Sequence, residues 1–127
     1  MEVRDAVEAD AERLAELADA PAETMGNLIH DRAVRVAAEN DEVIGFVSFD
    51  ARRDGVHVTQ FDGTEEATER LLDEPVRFAQ NEEMPAELLV EDSRDDLKRA
   101  AERAGFEEIG SGPQFDGAQT VKFRLEP

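Results

Sequence analysis

The sequence contains no cysteine, no tryptophan and no tyrosine, and its aromatic content is seven phenylalanines. Without cysteine there is no disulfide frame, no thiolate metal site and no cysteine nucleophile. Lysine is almost missing: Lys98 and Lys122 stand alone beside twelve arginines, because Lys and Arg together number 14. The densest basic run, Arg94 to Arg103, is interleaved with Asp95, Asp96 and Glu102. A chain with no basic stripe is not expected to follow a phosphate backbone, so nucleic acid is excluded as a partner. His30 and His57 lie far apart with no neighbouring ligand pattern, and no metal is expected. No apolar run approaches the length of a membrane span, and MEVRDAVEAD has neither a basic nor an apolar export region. The protein is therefore expected in the cytoplasm, off the membrane.

What the chain has instead is acid. Asp and Glu number 32 for a net charge of −18 over 127 residues. The apolar residues nevertheless recur with helical and strand periods along the whole length, unlike those of a disordered acidic tail, so residues 1–127 are expected to fold as one domain around one core. The charge is spread over every predicted helix and turn. This composition resembles that of cytoplasmic proteins of extreme halophiles, in which a carboxylate surface stays hydrated in molar salt and a Debye length of roughly 3 Å at 1 M screens self-repulsion. Attraction of a cationic substrate is a second use for the same charge.

MEVRDA alternates as a strand does, and DAERLAELADA places Ala11, Leu14, Leu17 and Ala18 on one helical face before Pro21. AETMGNLIHD reads as a second short helix with Met25, Leu28 and Ile29 inward. AVRVAAE and EVIGFVSF are strands joined at Asn40-Asp41, a pair that tolerates positive φ, and ARRDG turns the chain into VHVTQF. TEEATERLLDEPVRFAQ is a helix with Ala67, Leu71, Leu72, Val76 and Ala79 toward a sheet. Pro75 inside it removes a hydrogen bond and costs about 3 kcal/mol, which predicts a kink or break near Asp73. AELLV is a short strand. SRDDLKRAAERAGF is a helix with Ser93 placed to cap it, Asp96 three residues on, a stripe of Leu97, Ala100, Ala101 and Ala104, and Gly105 at its left-handed end. On its surface, Asp95 with Arg99 and Lys98 with Glu102 are spaced as ion pairs. FEEIG and TVKFRL form a final hairpin around SGPQFDGAQ.

This order of elements resembles that of the GNAT (GCN5-related N-acetyltransferase) superfamily. VRDAVEADAERLAELAD is similar to its first strand and helix, and LLVEDSRDDLKRAAERAGFEEIG to its fifth strand, fourth helix and sixth strand. The resemblance covers nearly the whole chain. It implies an α+β, GNAT-like (acyl-CoA N-acyltransferase) fold: a mixed, mostly antiparallel sheet of about six to seven strands with helices on both faces. It also implies acetyl-CoA as cofactor, a small-molecule or protein amine as the acceptor, and a monomer or homodimer.

The resemblance places the cofactor's diphosphate at the turn after the fourth strand, on Gln60, Phe61, Gly63, Thr64, Glu65, Glu66, Ala67 and Thr68, with Arg94 within reach. In the family this turn carries an Arg or Gln, two spacers, Gly, one spacer, and Gly or Ala, whose amides meet the anion at a helix N-terminus. Aligning Leu71-Leu72 with the family's paired apolar residues puts Gly63 at the Arg/Gln position, Glu66 at the first glycine and Thr68 at the second. The pyrophosphate loop is degenerate. A helix end attracts an anion by about 0.3–1 kcal/mol, whereas a carboxylate about 4 Å from a phosphate charge repels it by about 1 kcal/mol in water and about 4 at an effective dielectric of 20. Internal capping by Asp62 or Thr64 is the competing role for this turn.

Amine acetylation needs a base for the ammonium proton and commonly a tyrosine for the leaving thiolate. The family's tyrosine falls at Ala101 here, and the asparagine frequent at the start of that helix falls at Arg94. His57, expected on the same strand face as Thr59 and Phe61, is the candidate base, with a hydrogen-bonded histidine at a sheet edge as the plainer role. His30 is expected to meet carbonyls at a helix end. Two functions follow: an acetyl-CoA-dependent N-acetyltransferase with an altered loop, or a catalytically inactive GNAT-fold binding or regulatory module. The first expects an open gap between the fourth and fifth strands; the second expects Phe61, Phe78 or the Pro75 region to fill it.

Overall fold

The computed structural model describes residues 1–114 and 117–127. Among them, seven strands form one sheet in the order β1-β2-β3-β4-β5-β7-β6. The strands are β1 (Glu2–Asp5), β2 (Ala33–Glu39), β3 (Glu42–Arg52), β4 (Gly55–Gly63), β5 (Ala86–Glu91), β6 (Glu107–Ser111) and β7 (Thr120–Leu125). Neighbours pair antiparallel except β4 with β5, the one parallel pair in the sheet. Helices α1 (Ala11–Ala18), α2 (Ala22–Asp31), α3 (Glu65–Asn81) and α4 (Asp95–Arg103) cover the sheet. No helix among the described residues is long and apolar enough to cross a membrane.

The core divides along the two faces because strand side chains alternate. Leu14 and Met25, from α1 and α2, pack with Val34, Val36, Val43 and Phe46 on one face. On the other, Ala67, Leu71, Leu72 and Ala79 of α3 and Leu97, Ala100 and Ala101 of α4 pack with Val47, Val56, Val58, Leu88, Val90 and Phe123. The β2–β3 turn has the expected chemistry, with φ of 52° at Asn40 and 66° at Asp41. The α4 stop is also as its sequence suggests: Gly105 has φ of 103°, and the Phe106 amide returns to the Ala101 carbonyl at 3.0 Å.

Several local expectations are overturned. Of the kink or break expected at Pro75, the break is not formed: α3 runs through it as one helix, its apolar face and Pro75 itself buried. Ser93 does not cap α4. The N-cap position is Arg94, and no side chain caps the helix. Lys98 reaches Asp92 at 2.5 Å and Asp95 at 4.0 Å; Asp95–Arg99 and Lys98–Glu102 pairs are not formed. Phe61 does not share a face with His57. Pairing of β3 with β4 shifts register between Ser48 and Phe49, opposite Thr59, and the extra residue sends Phe61 into the α3–α4 core with Val56 and Val58. The last two strands pair antiparallel as expected, although part of their connection, Phe115 and Asp116, lies outside the described residues.

Candidate active site

The parallel ladder of β4 and β5 consists of Val56–Ala86, His57–Glu87 and Val58–Leu88, and there it stops. β4 continues to Gly63 and β5 to Glu91, so the strands part after the third pair and leave facing backbone edges without a strand partner. A cavity of about 540 Å³ opens over this seam, lined by side chains of β4, β5 and β7 together with Arg52 and Pro113. Its volume is in the range that holds a small ligand. Phe61, Phe78 and Pro75 take no part in its lining. Phe61 and Pro75 are in the core, and Phe78 is exposed with its ring 6.3 Å from Phe49.

His57 and Thr59 reach the cavity from β4, Glu87, Leu89 and Glu91 from β5, and Thr120 and Lys122 from β7. Alternation explains the set: Val56, Val58, Leu88, Val90, Val121 and Phe123 serve the α3–α4 core, leaving their neighbours for the opposite face. The Nε2 of His57 lies 3.1 Å from Asp54 Oδ1, which orients the ring and leaves Nδ1 unengaged by that contact. The histidine holds the Asp54 carboxyl below its ordinary range, chiefly through this hydrogen bond. On the neighbouring strand, burial pushes the Glu87 carboxyl up, but Arg124 at 2.6 Å and Lys122 at 3.4 Å outweigh it and keep the group a carboxylate. At the bulge, Ser48 Oγ and Thr59 Oγ1 share a hydrogen bond of 2.6 Å, with Ser48 fully buried. The seam therefore presents an oriented imidazole, the Thr59 hydroxyl backed by buried Ser48, and a compensated carboxylate.

The turn into α3 is a different environment. One residue, Thr64, joins β4 to α3, so there is no loop to cradle a phosphate. The Gly63 amide donates to Asp62 Oδ1 at 2.9 Å, the Thr64 amide to the Ile44 carbonyl at 3.0 Å, and the Ala67 amide to Thr64 Oγ1 at 3.2 Å. Ala67 and Thr68 are buried in the helix, and the Thr68 hydroxyl donates to the Glu65 carbonyl. The amides of Glu65 and Glu66 meet no acceptor among the described residues. Gly63 is a glycine for packing: φ is 136°, and a Cβ there would lie 2.4 Å from both Gly45 Cα and the Ile44 oxygen. Gln60 pairs with Ser48 on β3 and accepts weakly from its hydroxyl at 3.4 Å through its carbonyl.

The cations here are committed. Arg103 of α4 holds Glu65 at 2.6 Å and also Glu69. Arg94 grips Asp62 with hydrogen bonds of 2.9 and 3.2 Å and Asp96 with two of 3.1 Å. Its guanidinium is raised further above its already high range, chiefly by Asp62. These residues do not fit a nucleotide diphosphate. Of the amides from Gly63 to Thr68, where the turn enters the helix, only those of Glu65 and Glu66 are unengaged, and both residues carry a carboxylate of their own. Sequence reading missed Asp54, Glu87, Lys122 and Arg103. A signal existed for Glu87, whose place between Ala86 and Leu88 in AELLV puts it on the non-core face by period 2.

No family model matches the chain, and no curated protein matches its sequence. Solved structures do match in shape. The ribosomal-protein-alanine N-acetyltransferase from Brucella melitensis is 17% identical, covers 100% of each chain and has a TM-score of 0.79. yncA from Salmonella typhimurium, solved with its cofactor acetyl-CoA, is 16% identical over 98% of this chain and 92% of its own, with a TM-score of 0.78. An acetyltransferase of the GNAT family from Bacillus cereus ATCC 10987 is 14% identical over 98% and 96%, with a TM-score of 0.72. Identities this low speak for architecture alone, and over nearly the whole length of the chain that architecture is the GNAT-like fold, in a divergent form.

Proposed function

We propose that residues 1–127 act as one domain, a cytoplasmic N-acetyltransferase-like protein with a degenerate pyrophosphate loop, acting on a small-molecule or protein amine held over the β4–β5 seam. The observation that carries this reading is the end of the ladder at Val58–Leu88, which leaves the strands open beside His57 instead of packed shut by Phe61 or Phe78. His57 is the base. Its ring is oriented by Asp54 and faces the cavity, where it can take the proton of an ammonium group. The absence of tyrosine leaves no phenol for the leaving group, a tolerable loss because a thiolate departs readily.

A second reading, a GNAT-fold binding module without catalysis, is favoured by the capped turn at Thr64 and the engaged amides around it. Thiol release from acetyl thioesters, measured against a panel of primary amines in about 2–3 M KCl to screen the −18 charge, separates the two. Amine-dependent release that falls by about 10²-fold or more in His57→Gln is the expected result. No release from a sample shown to be folded selects the binding module.

A further inference from the structure

We infer that this chain takes its acyl group from a thioester of a short pantetheine-type thiol and gains nothing from a nucleotide diphosphate, an inference that rests on the acyl-transfer reading above. The two ends of the seam offer a ligand very different things. In the middle, β4 beyond Val58 and β5 beyond Leu88 have edges facing one another without a ladder between them. Unpaired edges are donors and acceptors for an extended arm carrying its own amides, and such an arm needs no charge to bind.

At the far end the chemistry is hostile to an anion. Asp62, Glu65, Glu66, Glu69 and Asp96 surround the start of α3, against Arg94 and Arg103: five carboxylates to two guanidiniums. Each guanidinium already holds two of those carboxylates. Recruiting Arg94 to a phosphate would strip Asp62, a carboxylate mostly withdrawn from solvent, of its partner. The backbone offers no alternative. Gly63 is wedged against Gly45, and the one-residue connection leaves no slack to turn further amides outward. The amides left at Glu65 and Glu66 supply a helix-end attraction worth less than the repulsion of the side chains beside them.

The reaction balances with such a donor. The amine nitrogen bonds to the thioester carbonyl carbon, the C–S bond breaks, the sulfur leaves with its electron pair as a thiolate, and the proton lost from nitrogen goes to the His57 imidazole.

Isothermal titration of the full chain in about 2–3 M KCl, with S-acetylpantetheine, acetyl-CoA and adenosine 3′,5′-diphosphate as separate probes, tests this. Dissociation constants for the two thioesters within about tenfold of each other, and no heat from the nucleotide, are expected. Acetyl-CoA binding more than about tenfold tighter, or heat from the nucleotide alone, overturns the inference and leaves acyl transfer standing. Failure of both thioesters to bind folded protein overturns both. A Glu65→Gln/Glu66→Gly/Glu69→Gln variant provides the second arm: acetyl-CoA should gain about tenfold or more in affinity while S-acetylpantetheine stays level. No gain for acetyl-CoA in that folded variant counts against exclusion by these carboxylates and overturns the inference.

Discussion

Arg94, immediately before α4, holds Asp62, next to last in β4, through a two-pronged hydrogen bond of 2.9 and 3.2 Å. The two residues are 32 apart in sequence and sit beyond the point where β4 and β5 lose their pairing, so the fork ties together elements that the sheet no longer joins. Arg94 is 37% exposed and Asp62 18% in their side chains, which places the pair between a surface contact and a buried one. With that screening, a double-mutant cycle of Arg94→Gln and Asp62→Asn should give a coupling of about 1 kcal/mol. The amide introduced by Asp62→Asn keeps an oxygen for the Gly63 N–H, so the cycle isolates the guanidinium. Urea melts of the four proteins measure it, and a coupling near zero would mean that the fork is not held in solution.

Glu87 sets the acid limit of the site. Burial raises its carboxyl, Arg124 and Lys122 lower it, and the balance falls below the ordinary 4.5. A carboxyl whose folded value is depressed contributes stability that is complete above the unfolded value and is lost as pH falls through the folded one. The stability difference between the native chain and Glu87→Gln should therefore be level from pH about 7 to about 5 and shrink below about 4.5. Denaturant melts of both proteins down to pH about 3 record it. A difference that grows on acidification would show that burial outweighs the two cations.

Gly63→Ala should destabilise the fold by about 2 kcal/mol or more, whether or not a ligand is present. The new Cβ would sit 2.4 Å from Gly45 Cα and from the Ile44 oxygen, both backbone atoms, at a φ of 136° that L side chains rarely adopt. Thermal melts with and without S-acetylpantetheine check it. An unchanged melting temperature would remove the packing explanation and return this glycine to a ligand role.

Much of the architecture was legible because it depends on neighbours in sequence. The Asn40-Asp41 turn, the α4 stripe of Leu97, Ala100 and Ala101, and the Thr64 cap are all set within a few residues. The departures at the turn into α3 are likewise local, since they are residue types at fixed offsets. What stayed hidden depends on distant partners. The bulge opposite Ser48 is a property of two strands together, so the face of Phe61 was misassigned while that of His57 was not. Arg103 pairs with Glu65 and Glu69 from 38 and 34 residues away, which no local spacing reveals. The fork from Arg94 to Asp62 was hidden likewise, and the apparent phosphate ligand proved to be occupied.

Pro75 gives the sharpest contest between local propensity and tertiary packing. Its ring removes the N–H that would have bonded the Leu71 carbonyl, at a cost of about 3 kcal/mol in a helix interior, yet α3 continues to Asn81. The ring is buried, and truncating it to alanine removes about two methylenes from the core, a loss of about 1.6 kcal/mol at about 0.8 each. The helix term is the larger, so Pro75→Ala should raise stability by about 1 kcal/mol, with helix content by circular dichroism unchanged or slightly higher. A lower urea midpoint would reverse the ranking, making the ring's contacts with the sheet stronger than the hydrogen bond it displaces.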